Sequence, residues 1–275
     1  MVNKRLVGAA NLWLRRRRRF VRAREKIAAL VAFAREQRVD VVVCTGDYTA
    51  LGTEPELRAA RAAVAPLTRP PFAFVTLPGN HDVYLHDGLR DRRFERVFGD
   101  GMLNDWPERA VDAGWPAVRL FGDALAVVSV NSTRPNPQPW RSSGRVPDVQ
   151  LAALVRVLGD ERLAARVVLV ATHYAPRRQD GTPDRWRHGV ENADALLHAC
   201  ATHPRAALLH GHIHWRYHLP GPPPTFGAGS ATHEGHEGLW LFEVDGRAAR
   251  ALPGSWDQRT GGYVLDERAS VAPWG

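Results

Sequence analysis

Cysteine is scarce in this chain. Cys44 and Cys200 are the only two in 275 residues, which excludes a disulfide framework. Cys44 closes an apolar run and reads as a buried structural thiol. No apolar run approaches the ~20 residues that span a bilayer, and no apolar core precedes a small-residue cleavage site, so the expectation is a cytoplasmic protein without a membrane span or signal peptide. Lysine is almost absent too: with only Lys4 and Lys26, arginine supplies nearly all the positive side of a net charge of +8. Alongside abundant Ala, Gly and Pro, that arginine reads as a GC-rich coding bias, which weakens any argument from basicity to nucleic acid. The charge can still attract an anionic, phosphate-bearing substrate. Residues 1–46 contain no histidine, although the whole chain has 12. No internal repeat is present.

What the chain does offer is one arrangement used four times. Val39–Cys44 is a buried-strand run followed at once by Thr45-Gly46-Asp47. Phe72–Thr76 is another, ended by the Pro78-Gly79 turn and then Asn80-His81-Asp82. Arg166–Thr172 runs into His173, and Ala206–Leu209 runs into His210-Gly211-His212-Ile213-His214. Side chains just beyond the carboxyl ends of such strands point into the crevice where α/β proteins keep their chemistry. Each stretch alone has a bland reading as loop Asn and Asp or a satisfied His. Together they form a set of carboxylate, amide and imidazole donors that suits a pair of divalent cations such as Mn, Fe or Zn.

The rest of the chain frames those four ends. Residues 1–38 read as a basic helical segment, with the run Arg15–Arg19 on a solvated face or, alternatively, as a grip for phosphates, RNA or an anionic membrane. Glu54–Val64 reads as a helix, giving a β-α-β unit and parallel pairing of its flanking strands. Residues 88–98, Pro147–Leu158 and Val190–Cys200 carry helical spacing, with Gly159 stopping the second. Trp106 and Trp115 are expected to pack. Ala124–Val130 and Gly238–Val244 are further strands. His86 and Asp87 read as exposed loop residues or as a border of the substrate, His198 and His203 as surface groups, Asn131 and Arg134 as substrate contacts or turn residues, Gly227–Ser230 as a turn near the metals, and the tail from Pro253 as surface-packed. The scattered ligands must converge, so one domain over 1–275 is expected, with its motifs within 46–214.

Gly46-Asp47, Gly79-Asn80-His81-Asp82, His173 and Gly211-His212-Ile213-His214 follow the order of the GD, GNHD, H and GHxH motifs, and the chain from Asp47 to His214 resembles the calcineurin-like metallophosphoesterase superfamily. The resemblance implies an α/β fold, a four-layer α-β-β-α sandwich. It implies two metals ~3.5–4 Å apart sharing an activated water, with Asp47 bridging them, Asn80, His173 and His212 completing one shell and His214 binding the other. His81 would be catalytic over the reacting phosphate, with Asp82 orienting its ring; His210 would be a supporting residue or strand filler. The implied function is metal-dependent hydrolysis of a phosphoester, in particular a small nucleotide-like phosphodiester, from similarity to bacterial cyclic-nucleotide phosphodiesterase-like members. No separate nucleic-acid-binding module follows the last motif.

One departure qualifies the site. The superfamily's first motif, Asp-x-His at the end of a first strand, has no counterpart before Asp47, where the only acids are Glu25, Glu36 and Asp40. The metal at His214 therefore lacks two expected ligands, where catalytic sites use about three. Two readings compete: Met1 is an internal start with the first strand and motif upstream, or this is a divergent member with one metal or a binding or scaffold role. A missing first strand predicts lower stability than an upstream-extended form would show. A third reading, binding of RNA or anionic membrane through Arg15–Arg19, predicts steep salt dependence.

Overall fold

Strand β1 (Val41–Cys44) lies parallel to β2 (Ala73–Thr76), with Val41 opposite Ala73 and Cys44 opposite Thr76. The helix Glu54–Val64 between them makes the crossover that parallel pairing requires. It begins as its sequence dictates: Thr53 accepts from the Glu56 N–H while the Glu56 carboxylate reaches back to the Thr53 N–H, closing a capping box. The computed structural model describes residues 4–246 and 248–274, with the backbone alone at Arg15–Arg17.

The second sheet has six strands, β3 (Ala117–Phe121), β4 (Leu125–Ser129), β5 (Val167–Ala171), β6 (Ala206–His210), β7 (Arg216–Leu219) and β8 (Thr225–Ala228), in the order β3-β4-β5-β6-β8-β7. Strands β4, β5, β6 and β8 run parallel, and β3 and β7 close the edges antiparallel. β5 is buried along its whole length, as a continuous apolar run covered on both faces must be. Its outer neighbours are the helices Asp148–Leu158 and Ala193–Cys200, whose Leu154, Val157 and Leu196 pack on Val128 and Val170. Its inner face meets β1 and β2 through Val127, Leu169, Val43 and Val75.

A third sheet, β9 (Leu239–Asp245), β10 (Ala248–Asp257) and β11 (Gly262–Leu265), is antiparallel with β10 central. Trp240 and Phe242 of β9 join the same inner core. The helix Ala23–Glu36 lies outside both small sheets: Val31 and Ala34 pack with Phe72, and Phe33 packs with Trp256 and Tyr263. The layers are therefore helices, two small sheets side by side, one large sheet and helices again. This is the α-β-β-α sandwich expected, with its first β layer in two pieces that one helix bridges.

Several elements differ from expectation. β3, β7, β8, β10 and β11 lie outside the expected strands. Pro253-Gly254 looks like a turn, yet it sits inside β10, where Pro253 lies opposite Trp240 and its carbonyl accepts from the Asp266 N–H at 2.9 Å. Residues 88–98 divide into helices His86–Arg90 and Arg93–Phe98 because Arg92 takes a left-handed backbone, φ 47°. His203 is buried, not at the surface; its Nε2 bonds the Leu163 carbonyl at 3.1 Å. Cys44 is half-buried, because its strand borders a cavity. Trp106 and Trp115 are buried as expected.

The basic amino-terminal segment is tied to acids. Lys26 is fully buried, with Glu234 at 2.9 Å and Glu237 in hydrogen-bond contact. Arg22 bonds Glu234 through Nε and Nη2, and Arg5 holds Asp87 through two bonds of 2.8 and 2.9 Å. The Arg5 guanidinium, with Arg93 beside it, lowers the Asp87 pKa to about 2. Of the run Arg15–Arg19, Arg18 and Arg19 are exposed, and the side chains of Arg15–Arg17 lie outside the described residues. No helix among the described residues is long and apolar enough to cross a membrane.

Candidate metal centre

Four parallel strands end at one place. Asp47 follows β1, Asn80 follows β2, His173 follows β5 and His212 follows β6, and their polar atoms converge. His173 Nε2 lies 2.9 Å from Asn80 Oδ1, 3.3 Å from His212 Nδ1 and 3.5 Å from Asp47 Oδ2. His212 Nδ1 lies 3.0 Å from Asn80 Oδ1.

The hydrogen bonds on the far side of each group decide what these atoms carry. His173 Nδ1 donates to the Thr45 carbonyl at 2.7 Å, which in the neutral ring leaves the lone pair on Nε2. His212 Nε2 donates to the His188 carbonyl at 3.0 Å, which leaves the lone pair on Nδ1. Burial, with His188 and His173 adding to it, holds the His212 pKa well below its ordinary value, so its ring is neutral. Asn80 Nδ2 donates to Ser142 Oγ at 3.0 Å, so its carbonyl oxygen faces inward. Burial pushes the Asp47 pKa up, but His173 and His81 more than offset it, and the carboxyl sits below its ordinary value. Two imidazole nitrogens, an amide oxygen and a carboxylate oxygen thus present electron pairs to one another. Buried acceptors do not converge in this way without a shared positive partner, and two His, one Asp and an amide oxygen are a ligand set for a divalent transition metal.

Backbone geometry supports the convergence. Asp47, His212 and His214 have φ of 64°, 68° and 55°, left-handed values that cost a non-glycine residue about 1 kcal/mol each and gather at functional sites. Gly46 and Gly79 let the two turns touch. A Cβ on Gly79 would stand 2.2 Å from Asp47 Oδ1, and one on Gly46 would stand 2.3 Å from the Gly79 nitrogen.

Asp82 is placed differently from the expectation that it orients the His81 ring. Its Oδ2 accepts the Asp47 and Gly79 N–H groups at 2.8 Å each. Its Oδ1 accepts the Tyr48 and Thr49 N–H groups and the Thr49 hydroxyl at 2.9, 3.1 and 3.2 Å. Burial and the nearby Asp47 charge raise its pKa, while these N–H donors pull the other way. With both oxygens only accepting, the geometry is that of a carboxylate pinning the Asp47 turn to the Asn80 turn. His81 instead sets its Nδ1 against the Ala50 carbonyl at 2.8 Å and stacks on Tyr84, 5.7 Å between ring centres. Its backbone N–H donates to Asp47 Oδ1 at 2.9 Å.

His214 does not join the four. Its Nδ1 pairs with His233 Nδ1 at 2.8 Å. The ligand-bearing groups of three that converge among the described residues are Asp47–His173–His212 and Asp184–His188–His212. In the second, His188 Nδ1 is already bonded to Asp184 at 2.6 Å, and its ring lies 4.2 Å from that of His212. His210 is core: Nε2 meets the Tyr217 hydroxyl at 3.0 Å, and burial lowers its pKa to about 4. Asn131 spends its side-chain oxygen on Thr133, a turn role, and Arg134 pairs with Glu191. Residues not anticipated are His233, Ser142, His188 and the carbonyls of Thr45 and Ala50. His233 and His236 in the loop after β8 were the one visible sign.

Comparison with known proteins places the chain in a family. A model of the calcineurin-like phosphoesterase family matches residues 19–216. The chain is 31% identical over 196 residues to the 3',5'-cyclic adenosine monophosphate phosphodiesterase CpdA of Pseudomonas aeruginosa, a match covering 70% of this chain and 60% of CpdA. The matched span is thus less than two thirds of that relative's length. Among solved structures, a dimetal phosphatase from Danio rerio superposes with a TM-score of 0.58 at 14% identity, covering 92% of this chain and 89% of its own. TT1561 of Thermus thermophilus superposes at 0.50 and 13% identity, covering 88% and 92%. At such identities the likeness shows the fold. The matched span contains every strand end that supplies the converging atoms, and the chain belongs to the calcineurin-like phosphoesterase family.

Proposed function

We propose that this protein is a metal-dependent phosphoesterase acting on a small, nucleotide-like phosphodiester. The observation that carries the reading is the meeting of four electron-pair donors, His173 Nε2, His212 Nδ1, Asn80 Oδ1 and Asp47 Oδ2, at four strand ends. These residues would hold a divalent cation of the Mn, Fe or Zn type. When bound, such a cation polarises a phosphoryl oxygen and lowers the pKa of water. The preference for a diester rests on the likeness to CpdA.

The chain's own groups supply the remainder. Asp47 is fixed from three sides: its N–H is held by Asp82, one carboxylate oxygen accepts from the His81 N–H, and the other faces His173. His81, with Nδ1 against the Ala50 carbonyl, has Nε2 as the ring atom through which it exchanges a proton with the leaving oxygen. His214, paired with His233, borders the site, and the reading is one tightly held cation per chain.

The test is hydrolysis of bis(p-nitrophenyl) phosphate by purified protein with Mn, beside p-nitrophenyl phosphate. Turnover of the diester that a chelator abolishes and Mn restores is expected, with the monoester slower. Protein shown to hold Mn but turning over neither ester would overturn the hydrolase reading in favour of a binding role.

A further inference from the structure

The amino-terminal helix Lys4–Asn11, extended by the π-helical turn Leu12–Arg16, is inverted relative to an ordinary surface helix, which turns apolar residues inward and charge toward water. Lys4 points into the protein, where its ammonium donates to the Asn136 and Arg141 carbonyls and lies 4.9 Å over the Tyr84 ring. Arg5 pairs with Asp87, and a Cβ on Gly8 would stand 2.3 Å from the Tyr84 hydroxyl. On the opposite face Leu6, Ala10 and Leu14 follow one another at four-residue spacing, with Trp13 beside Leu14. Leu6, Trp13 and Leu14 are 69, 78 and 73% exposed, and Val21, past the helix, is 73% exposed. Single apolar side chains on a surface are ordinary. Three large ones on one helix face, with the ammonium turned inward, form a patch that needs a partner.

The charge around that face has one sign. Every charged residue before Glu25 is cationic: Lys4, Arg5, Arg15–Arg19, Arg22 and Arg24. Lys4, Arg5 and Arg22 are engaged with the body of the protein, whereas Arg18, Arg19 and Arg24 are exposed. The segment is also fastened at both ends. Arg5 bonds Asp87 at one end; at the other the Glu234 N–H donates to the Arg19 carbonyl at 2.8 Å, and the Phe20 ring lies 5.1 Å from that of His233. A segment held in this way offers a partner one face only.

We propose that this face docks the protein on an anionic phospholipid bilayer, with Leu6, Trp13 and Leu14 in the boundary between headgroups and acyl chains and the arginines on lipid phosphates. A helix lying in the interface plane buries an apolar face there and sets cations against anionic headgroups, and tryptophan favours that boundary. The docking is peripheral, since no helix among the described residues is long and apolar enough to cross a membrane. RNA fits the arginines but offers no apolar partner to the aliphatic Leu6 and Leu14. A protein groove encloses the helix it receives on more than one side, and here the inner side is taken by Tyr84, Asn136 and Asp87. A flat surface that is apolar beneath and anionic on top satisfies the exposed face, the charge and the anchoring together. The docked face adjoins the candidate metal centre, because the Tyr84 ring under Lys4 is the one that stacks on His81. The inference goes beyond the proposed hydrolase reading and does not depend on it.

The test is co-sedimentation of the full chain with vesicles of phosphatidylcholine alone and of phosphatidylcholine mixed equally with phosphatidylglycerol. Partition onto the mixed vesicles is expected, about tenfold or more above that onto phosphatidylcholine and falling as salt rises. Trp13→Ser with Leu14→Ser should lower it about tenfold. Arg18→Glu with Arg19→Glu should do the same, and both variants should keep their Tm because the substituted side chains are exposed. Undiminished partition by the Trp13 and Leu14 variant overturns the proposal, because charge alone would then carry the contact. So does absence of binding to the mixed vesicles, whether the protein instead binds a single-stranded RNA oligonucleotide or dimerises through this face.

Discussion

Replacing Asp47 with alanine lowers kcat/KM for bis(p-nitrophenyl) phosphate about a thousandfold or more, while the protein still melts within a few degrees of the original. The size follows from what is removed: charged groups aimed at the reacting centre are worth roughly 10²–10³ in rate, and here the cation itself is also lost. Asp47 brings the only negative charge to the four converging atoms, 3.5 Å from His173 Nε2. Its removal leaves neutral nitrogens and an amide oxygen, too weak a set to keep a divalent cation. The stability effect is small because the main-chain bond from Asp47 to Asp82 survives the substitution. The control is Asp123→Ala, a fully exposed carboxylate, which should change neither quantity. Comparable activity in both variants would remove Asp47 from the site.

Asp82→Ala has the opposite signature. Four backbone N–H groups lose their acceptor at once, in a place that is 1% exposed. Buried donors left unmade cost about 1–3 kcal/mol each before relaxation, so a net loss of about 4 kcal/mol is expected. For a domain of this size that is a fall in Tm of about 10 °C, measured by differential scanning calorimetry. If Asp82 instead served to orient the His81 ring, the variant would keep its Tm and lose kcat alone.

The parts of the fold that were legible are those where a local pattern and its consequence lie close together. Val41–Cys44 with Asp47, Ala73–Thr76 with Asn80, and Val167–Ala171 with His173 each combine a buried run with a polar residue just past its end. The parallel pairing of β1 and β2 followed from the helical stretch between them. What stayed hidden depends on distant partners. Asp82 meets Asp47, Tyr48 and Thr49, more than thirty residues earlier, through their main-chain N–H groups, which carry no residue-specific signal. The same is true of the Thr45 and Ala50 carbonyls that fix the His173 and His81 rings. His214 shares its motif with His212, yet it turns to His233, whose position depends on the path of the loop between β8 and β9. Pro253-Gly254 misleads because the proline needs no donor at its place in β10. The cavity between β1 and β9 is visible only once three sheets are assembled.

Metal binding tests the central claim most directly. Protein stripped of metal and titrated with Mn, with bound metal counted by mass spectrometry after gel filtration, should retain about one tight equivalent per chain. His173→Ala should lose it, because Nε2 of His173 is the atom that all three other donors surround. Retention of the same equivalent by His173→Ala, or none by the original chain, would contradict the account.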